Sequence, residues 1–156
     1  MDNFKLFLES EEEKDVKSLL SKLPKKHQKL MDGFDFTFTP GNTLKGDKEH
    51  IGYIYKNKVV VAAPFHYSRS LTICHEIAHQ IFEHLMTSSL RKEWSSLLKK
   101  TMPDQIKAQP KQNQSALKQN DEEIFCMTYA ATYVKHPPST YLNPEWQNFI
   151  KHKVPH

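Results

Sequence analysis

The chain has 156 residues, of which 38% are hydrophobic and 26% charged, with a formal net charge of +4; this is the profile of one soluble globular domain, long enough to bury a core. No apolar run is long enough to span a bilayer, and the start, Met1-Asp2-Asn3-Phe4-Lys5, lacks the basic and apolar regions of a secretion signal, so the expected setting is cytoplasmic, or that of a bacterial effector or toxin delivered by a non-classical route. Basic residues interspersed with acidic ones argue against nucleic acid as the partner, and two cysteines are too few for a disulfide-built scaffold.

Residues 1–33 read as helical. Ser10-Glu11-Glu12-Glu13 is a capping box with acids in the first turn, followed by Val16, Leu19, Leu20 and Leu23 at helical spacing. Pro24 interrupts this helix, and a second short piece through Leu30 and Met31 stops at Gly33. Residues 34–64 read as a small sheet. Phe34-Asp35-Phe36-Thr37-Phe38-Thr39 alternates with period two and ends at Pro40-Gly41-Asn42. The runs 51–55 and 59–63, separated by Lys56-Asn57-Lys58, have the signature of a hairpin with a three-residue loop.

Ser68 to Ser70 offers a cap for a helix over 68–88. A second amphipathic helix is predicted over 90–100 and is expected to end at Pro103. The polar segment 103–119 reads as a mobile loop. Asn120 or Asp121 then caps a helix over 120–136, terminated by Pro137-Pro138. Asn143-Pro144-Glu145 opens a last short helix, in which Trp146 and Phe149 need a core to dock on. The expected fold class is α+β: a small mixed or antiparallel sheet packed on the helix of residues 68–88, followed by a mostly helical C-terminal half.

The chemistry centres on His75-Glu76-Ile77-Ala78-His79, set in the apolar stripe Leu71, Cys74, Ala78, Ile81, Phe82, Leu85. Residues four apart lie on one face of a helix, so the two imidazoles can hold one metal ion from the same side, with Glu76 beside it. A catalytic zinc site takes three protein ligands and keeps a fourth position open. A downstream histidine as third ligand is excluded, because the position that would carry it is Leu85. A carboxylate from a later helix is the other common solution. Glu123 fits it, and Glu122, about 100° away around the helix, is the second choice. Acids at a helix start also serve the helix dipole without any further role. With zinc in place, Glu76 would act as general base on the attacking water. His66, Tyr67, Tyr129 and Tyr133 are candidate donors to the developing oxyanion. Cys74 and Cys126 read as buried structural thiols.

The succession from Ser70 to His79, then Ser88-Ser89-Leu90 to Trp94, then Glu123-Ile124-Phe125-Cys126-Met127-Thr128-Tyr129-Ala130 and a proline-marked tail, resembles the catalytic domain of anthrax lethal factor and its relatives, including the bacterial Pro-Pro endopeptidases. The resemblance covers roughly residues 50 to 150 and is specific mainly at the two motifs. It implies a zinc endopeptidase acting on a protein or peptide, with His75, His79 and Glu123 as ligands of one Zn2+ and Glu76 as base; the chain is expected to be a monomer. Two positions depart from the family pattern. Met127 stands where a second Glu is usual, and no Tyr occurs between Tyr67 and Tyr129. The segments 70–84 and 123–137 are also similar to the ImmA/IrrE-like metallopeptidases, which implies the alternative of a zinc protein that cleaves or binds an intracellular regulator.

Overall fold

A computed structural model describes residues 16–39, 52–55, 58–62, 69–135 and 137–156. Helix α1 is described over 16–22 and is followed by α2 (Lys25–Leu30). Three strands follow: β1 (Asp35–Thr39), β2 (Gly52–Tyr55) and β3 (Lys58–Ala62). The rest is helical: α3 (Arg69–Leu85), α4 (Ser88–Lys107), α5 (Lys111–Gln114), a 3-10 turn (Ser115–Leu117), α6 (Asp121–Tyr133), a second 3-10 turn (Ser139–Tyr141) and α7 (Pro144–His152).

The α+β class expected from the sequence is corrected. Of the residues whose side chains are described, 77% are helical and none lies in a strand. Their buried core runs from Val16 to Val154 over helices and helical turns, so the packed body is all-α. The strands are described by their backbone, which pairs in the order β1-β3-β2, parallel between β1 and β3 and antiparallel between β2 and β3. The physical basis of the correction is that α3, α4, α6 and α7 bring enough large apolar side chains to close a core among themselves. Trp94, Phe125, Tyr129 and Trp146 are all fully buried. Lys58 pairs with Tyr55 in β3, so it belongs to a strand and not to the loop expected over 56–58.

Helix α3 buries a broad apolar face of Leu71, Ile73, Cys74, Ile77, Ala78, Ile81 and Phe82, together with the polar Thr72 and Glu76, as expected of an amphipathic helix packed into a core. It stops at Leu85, short of the expected residue 88, for two reasons. Arg91 donates from Nη2 to the carbonyls of Phe82 (2.9 Å) and Glu83 (3.1 Å) and from Nε to that of Met86 (3.1 Å), satisfying acceptors left over at the helix end. Thr87 Oγ1 meanwhile accepts from the Leu90 N–H at 3.2 Å and caps α4.

Two further expectations are revised after α4. Pro103 does not end that helix, which continues to Lys107. A proline removes one backbone donor, but the turn that follows is fastened from outside. Gln105, buried, donates to the Thr140 carbonyl (2.9 Å) and accepts from Asn143 Nδ2 (2.9 Å). The segment expected to be a loop, 103–119, is therefore largely helical. Leu117 enters the core, and the Tyr141 hydroxyl donates to the Ala116 carbonyl at 3.0 Å. Polar side chains counted as solvated in the sequence act here as internal hydrogen-bond partners. No described helix is long and apolar enough to cross a membrane.

Candidate metal centre

Helix α6 packs against α3, α4 and α7. Its start is set by Asn120, whose Oδ1 accepts from the Glu123 N–H at 2.8 Å. That cap puts Asp121, Glu122 and Glu123 in the first turn, where acids complement the helix dipole. A Glu at the third helical position ordinarily reaches back to the capping residue. Here the Glu123 carboxylate is shared between the two imidazoles of α3. Its Oε2 lies 3.2 Å from His75 Nε2 and its Oε1 lies 3.2 Å from His79 Nε2.

The two imidazole rings stand edge to face, 5.0 Å apart and inclined by 73°, as residues one helical turn apart can. Taking one ligand atom from each of His75, His79 and Glu123, all three atoms lie within 4.8 Å of one another. The donor set suits a metal. A tetrahedral ion with bonds of about 2.0–2.1 Å holds its ligand atoms about 3.4 Å apart; His75 Nε2 lies 3.2 Å from Oε2 and His79 Nε2 3.2 Å from Oε1 of Glu123, and one atom from each residue stays within 4.8 Å of the others. The side chains of His75, His79 and Glu123 are 13%, 27% and 34% exposed, so solvent reaches the group. These three residues could hold a metal ion. Among the described residues no other His, Cys, Asp and Glu side chains form such a group.

The charges respond to this crowding. Burial works to lower the basicity of His79, but Glu123, Glu76 and Glu122 outweigh it and hold the ring up at about 9. Hydrogen bonds from His75 and His79 keep the Glu123 carboxyl well below the usual carboxylate range, against the effect of burial. Glu122 is outside the three-residue group. Its Oε1 lies 3.5 Å from His79 Nδ1, on the ring edge away from Glu123. Glu76 is 5% exposed on α3, and its charge is felt by His79. The thiols of Cys74 and Cys126 are buried, and burial pushes both well above their ordinary range, which leaves them poor ligands and nucleophiles.

Glu122 and Glu123 can be told apart by substitution. Glu123→Ala is expected to weaken metal binding by more than about 100-fold, whereas Glu122→Gln should cost about 10- to 100-fold, as for a partner outside the coordination sphere. Competition with a chromophoric chelator measures both, and a larger loss for Glu122→Gln would reverse the assignment.

Of the candidate oxyanion donors, the two described ones, Tyr129 and Tyr133, are not gathered at this group. Tyr129 is fully buried and its hydroxyl is 2.9 Å from His27 Nδ1. Tyr133 lies ten residues beyond Glu123, about 15 Å along the helix axis, with its ring 4.8 Å from that of Tyr129. His66 and Tyr67 lie outside the described residues.

The His27 contact joins residues 102 apart in the chain, and periodicity gave no sign of it. His27 Nε2 lies 2.6 Å from the Pro155 carbonyl, which can only accept, so Nε2 carries the proton and Nδ1 accepts from Tyr129. Burial is the main influence on the ring and lowers its pKa from 6.5, and the nearby His156 and Lys26 act the same way, against the Pro155 carbonyl. A histidine kept neutral in the fold contributes stability above its unfolded pKa, and that contribution is lost as pH falls below 6.5 toward the lowered folded value. His27→Phe leaves the Tyr129 hydroxyl without this partner and should cost about 1–3 kcal/mol near neutrality. The gap between wild type and variant should narrow when urea unfolding is repeated at about pH 5.5. An unchanged gap would show that the ring does not titrate with unfolding.

Comparison of the chain with known protein families, with curated proteins and with solved structures finds no match.

Proposed function

We propose that this protein is a zinc-dependent endopeptidase. The observation that carries the reading is the convergence of His75, His79 and Glu123 from two helices within 4.8 Å, with the buried carboxylate of Glu76 next to His75 in the chain. Two imidazoles and one carboxylate are the ligand set of a zinc site that keeps a position open for chemistry. When bound, zinc supplies a water of lowered pKa and polarises a carbonyl.

The chain's own residues supply the rest. His75, His79 and Glu123 bind the ion. Glu76 takes the proton from the attacking water and delivers it to the leaving amine. A protein or peptide is the substrate this chemistry serves. The test is direct: purified protein should contain one zinc per chain and cleave members of a peptide library. A chelator should abolish cleavage, and added zinc should restore it. Protein that takes up no zinc through the two histidines would overturn the reading.

A second reading has one observation in its favour. The Tyr129 hydroxyl, a candidate to stabilise the oxyanion, is already held by His27 in the core. A zinc protein that binds a protein partner without cleaving it would show stoichiometric zinc and no hydrolysis of any library member.

A further inference from the structure

Helix geometry brings a fourth side chain to the metal group. On α6, Met127 is four residues beyond Glu123 and shares its face. Its Sδ lies 2.9 Å from His75 Nδ1, while Nε2 of the same ring faces Glu123 at 3.2 Å. His79 has a matching arrangement, with Nε2 on Glu123 and Nδ1 facing Glu122 at 3.5 Å. Each imidazole therefore presents Nε2 to the shared carboxylate and Nδ1 to an outer acceptor. The two acceptors differ in chemistry. One is a carboxylate, the other a thioether, which accepts hydrogen bonds only weakly.

We propose that Met127 is the positioning residue for His75: its thioether accepts the Nδ1–H, turns Nε2 to the metal, and supports His75 as a ligand more weakly than the Glu122 carboxylate supports His79. The inference rests on the zinc reading above. Outer partners of metal-bound histidines fix the tautomer and raise ligand basicity, and a carboxylate does both more strongly than a neutral acceptor. A thioether in this place gives orientation with little gain in basicity. The site then binds zinc less tightly than the same three ligands would with an acid at residue 127. Met127 is only partly buried and packs beside the core, so an acid of similar length can be accommodated there. Like-charge repulsion with Glu123 one turn away works against the predicted gain.

Two measurements test the proposal. In the zinc-bound wild type, proton–nitrogen correlation spectra of the imidazoles should show both His75 and His79 bound through Nε2 with a proton on Nδ1. Chelator competition should show zinc bound about tenfold more tightly by Met127→Glu and several-fold less tightly by Met127→Leu. Ligation of His75 through Nδ1 would overturn the proposal, as would zinc affinities in both variants equal to that of wild type. These outcomes leave the zinc site itself standing, whereas absence of His75-dependent zinc binding in wild type would remove both. Should Met127→Glu fail to fold, the wild-type spectrum and Met127→Leu decide.

Discussion

Replacing Glu76 by Gln is expected to lower peptide hydrolysis by about 10²- to 10⁴-fold, the range a positioned general base contributes, while zinc content stays at the wild-type level. The two halves of this result have separate physical causes. Gln keeps the size and the hydrogen-bonding shape of Glu but cannot take up a proton near neutral pH, so the proton on the attacking water has nowhere to go. The atoms that could hold the ion belong to His75, His79 and Glu123, so the amide is expected to leave zinc binding in place. Glu76 is 5% exposed on α3. Zinc content and cleavage measured on one preparation separate the cases. Cleavage that survives the substitution would remove Glu76 from the mechanism. Loss of zinc along with activity would show that its charge is needed to hold the ion.

The three residues that could hold a metal were legible as candidates because each is marked by a local rule. Spacing by four puts His75 and His79 on one face, and Asn120 fixes where the next helix begins, so that Glu123 falls at its third position. What stayed hidden depends on contacts between distant segments. Nothing in the local pattern around His27 names Tyr129 as its partner, and Met127 reads as an ordinary apolar residue of α6 until the helices cross. The same holds for fold class. Alternation in the residues now assigned to β1, β2 and β3 drew attention to a sheet, while the packed interior is built by helices with weaker signatures. Helix α4 is the clearest instance. Pro103 and a run of polar residues argue locally for a break, and the internal partners of Gln105 and Thr101 outweigh them. Thr101 Oγ1 donates to the Leu97 carbonyl at 2.7 Å and accepts from Trp146 Nε1 at 2.7 Å. Side-chain bonds of that kind carry no periodic signal.

Trp94→Ala should be the most destabilising substitution in the described core, at about 3–5 kcal/mol. Trp94 is fully buried on α4, with its ring 5.7 Å from Phe125, 6.3 Å from Trp146 and 5.2 Å from Phe149. It thereby joins α4, α6 and α7, and truncation leaves a cavity bordered by large rings that cannot collapse into it. Against a total stability of about 5–15 kcal/mol, such a loss removes a large share of what holds the native state together. The melting temperature should fall by about 10 °C or more.

The indole also bears on the candidate metal group through the backbone of α6. Its Nε1 donates to the Asp121 carbonyl at 2.9 Å, two residues before Glu123, and so anchors the first turn of α6 to α4. Trp94→Phe keeps most of the apolar volume and drops that bond, so it should lose less stability than Trp94→Ala. It should also weaken zinc binding, because the turn that carries Glu123 is no longer tied down. Urea unfolding and chelator competition on the two variants separate the effects. If Trp94→Phe loses stability but binds zinc as wild type does, Asn120 alone suffices to place Glu123, and the indole serves the core only.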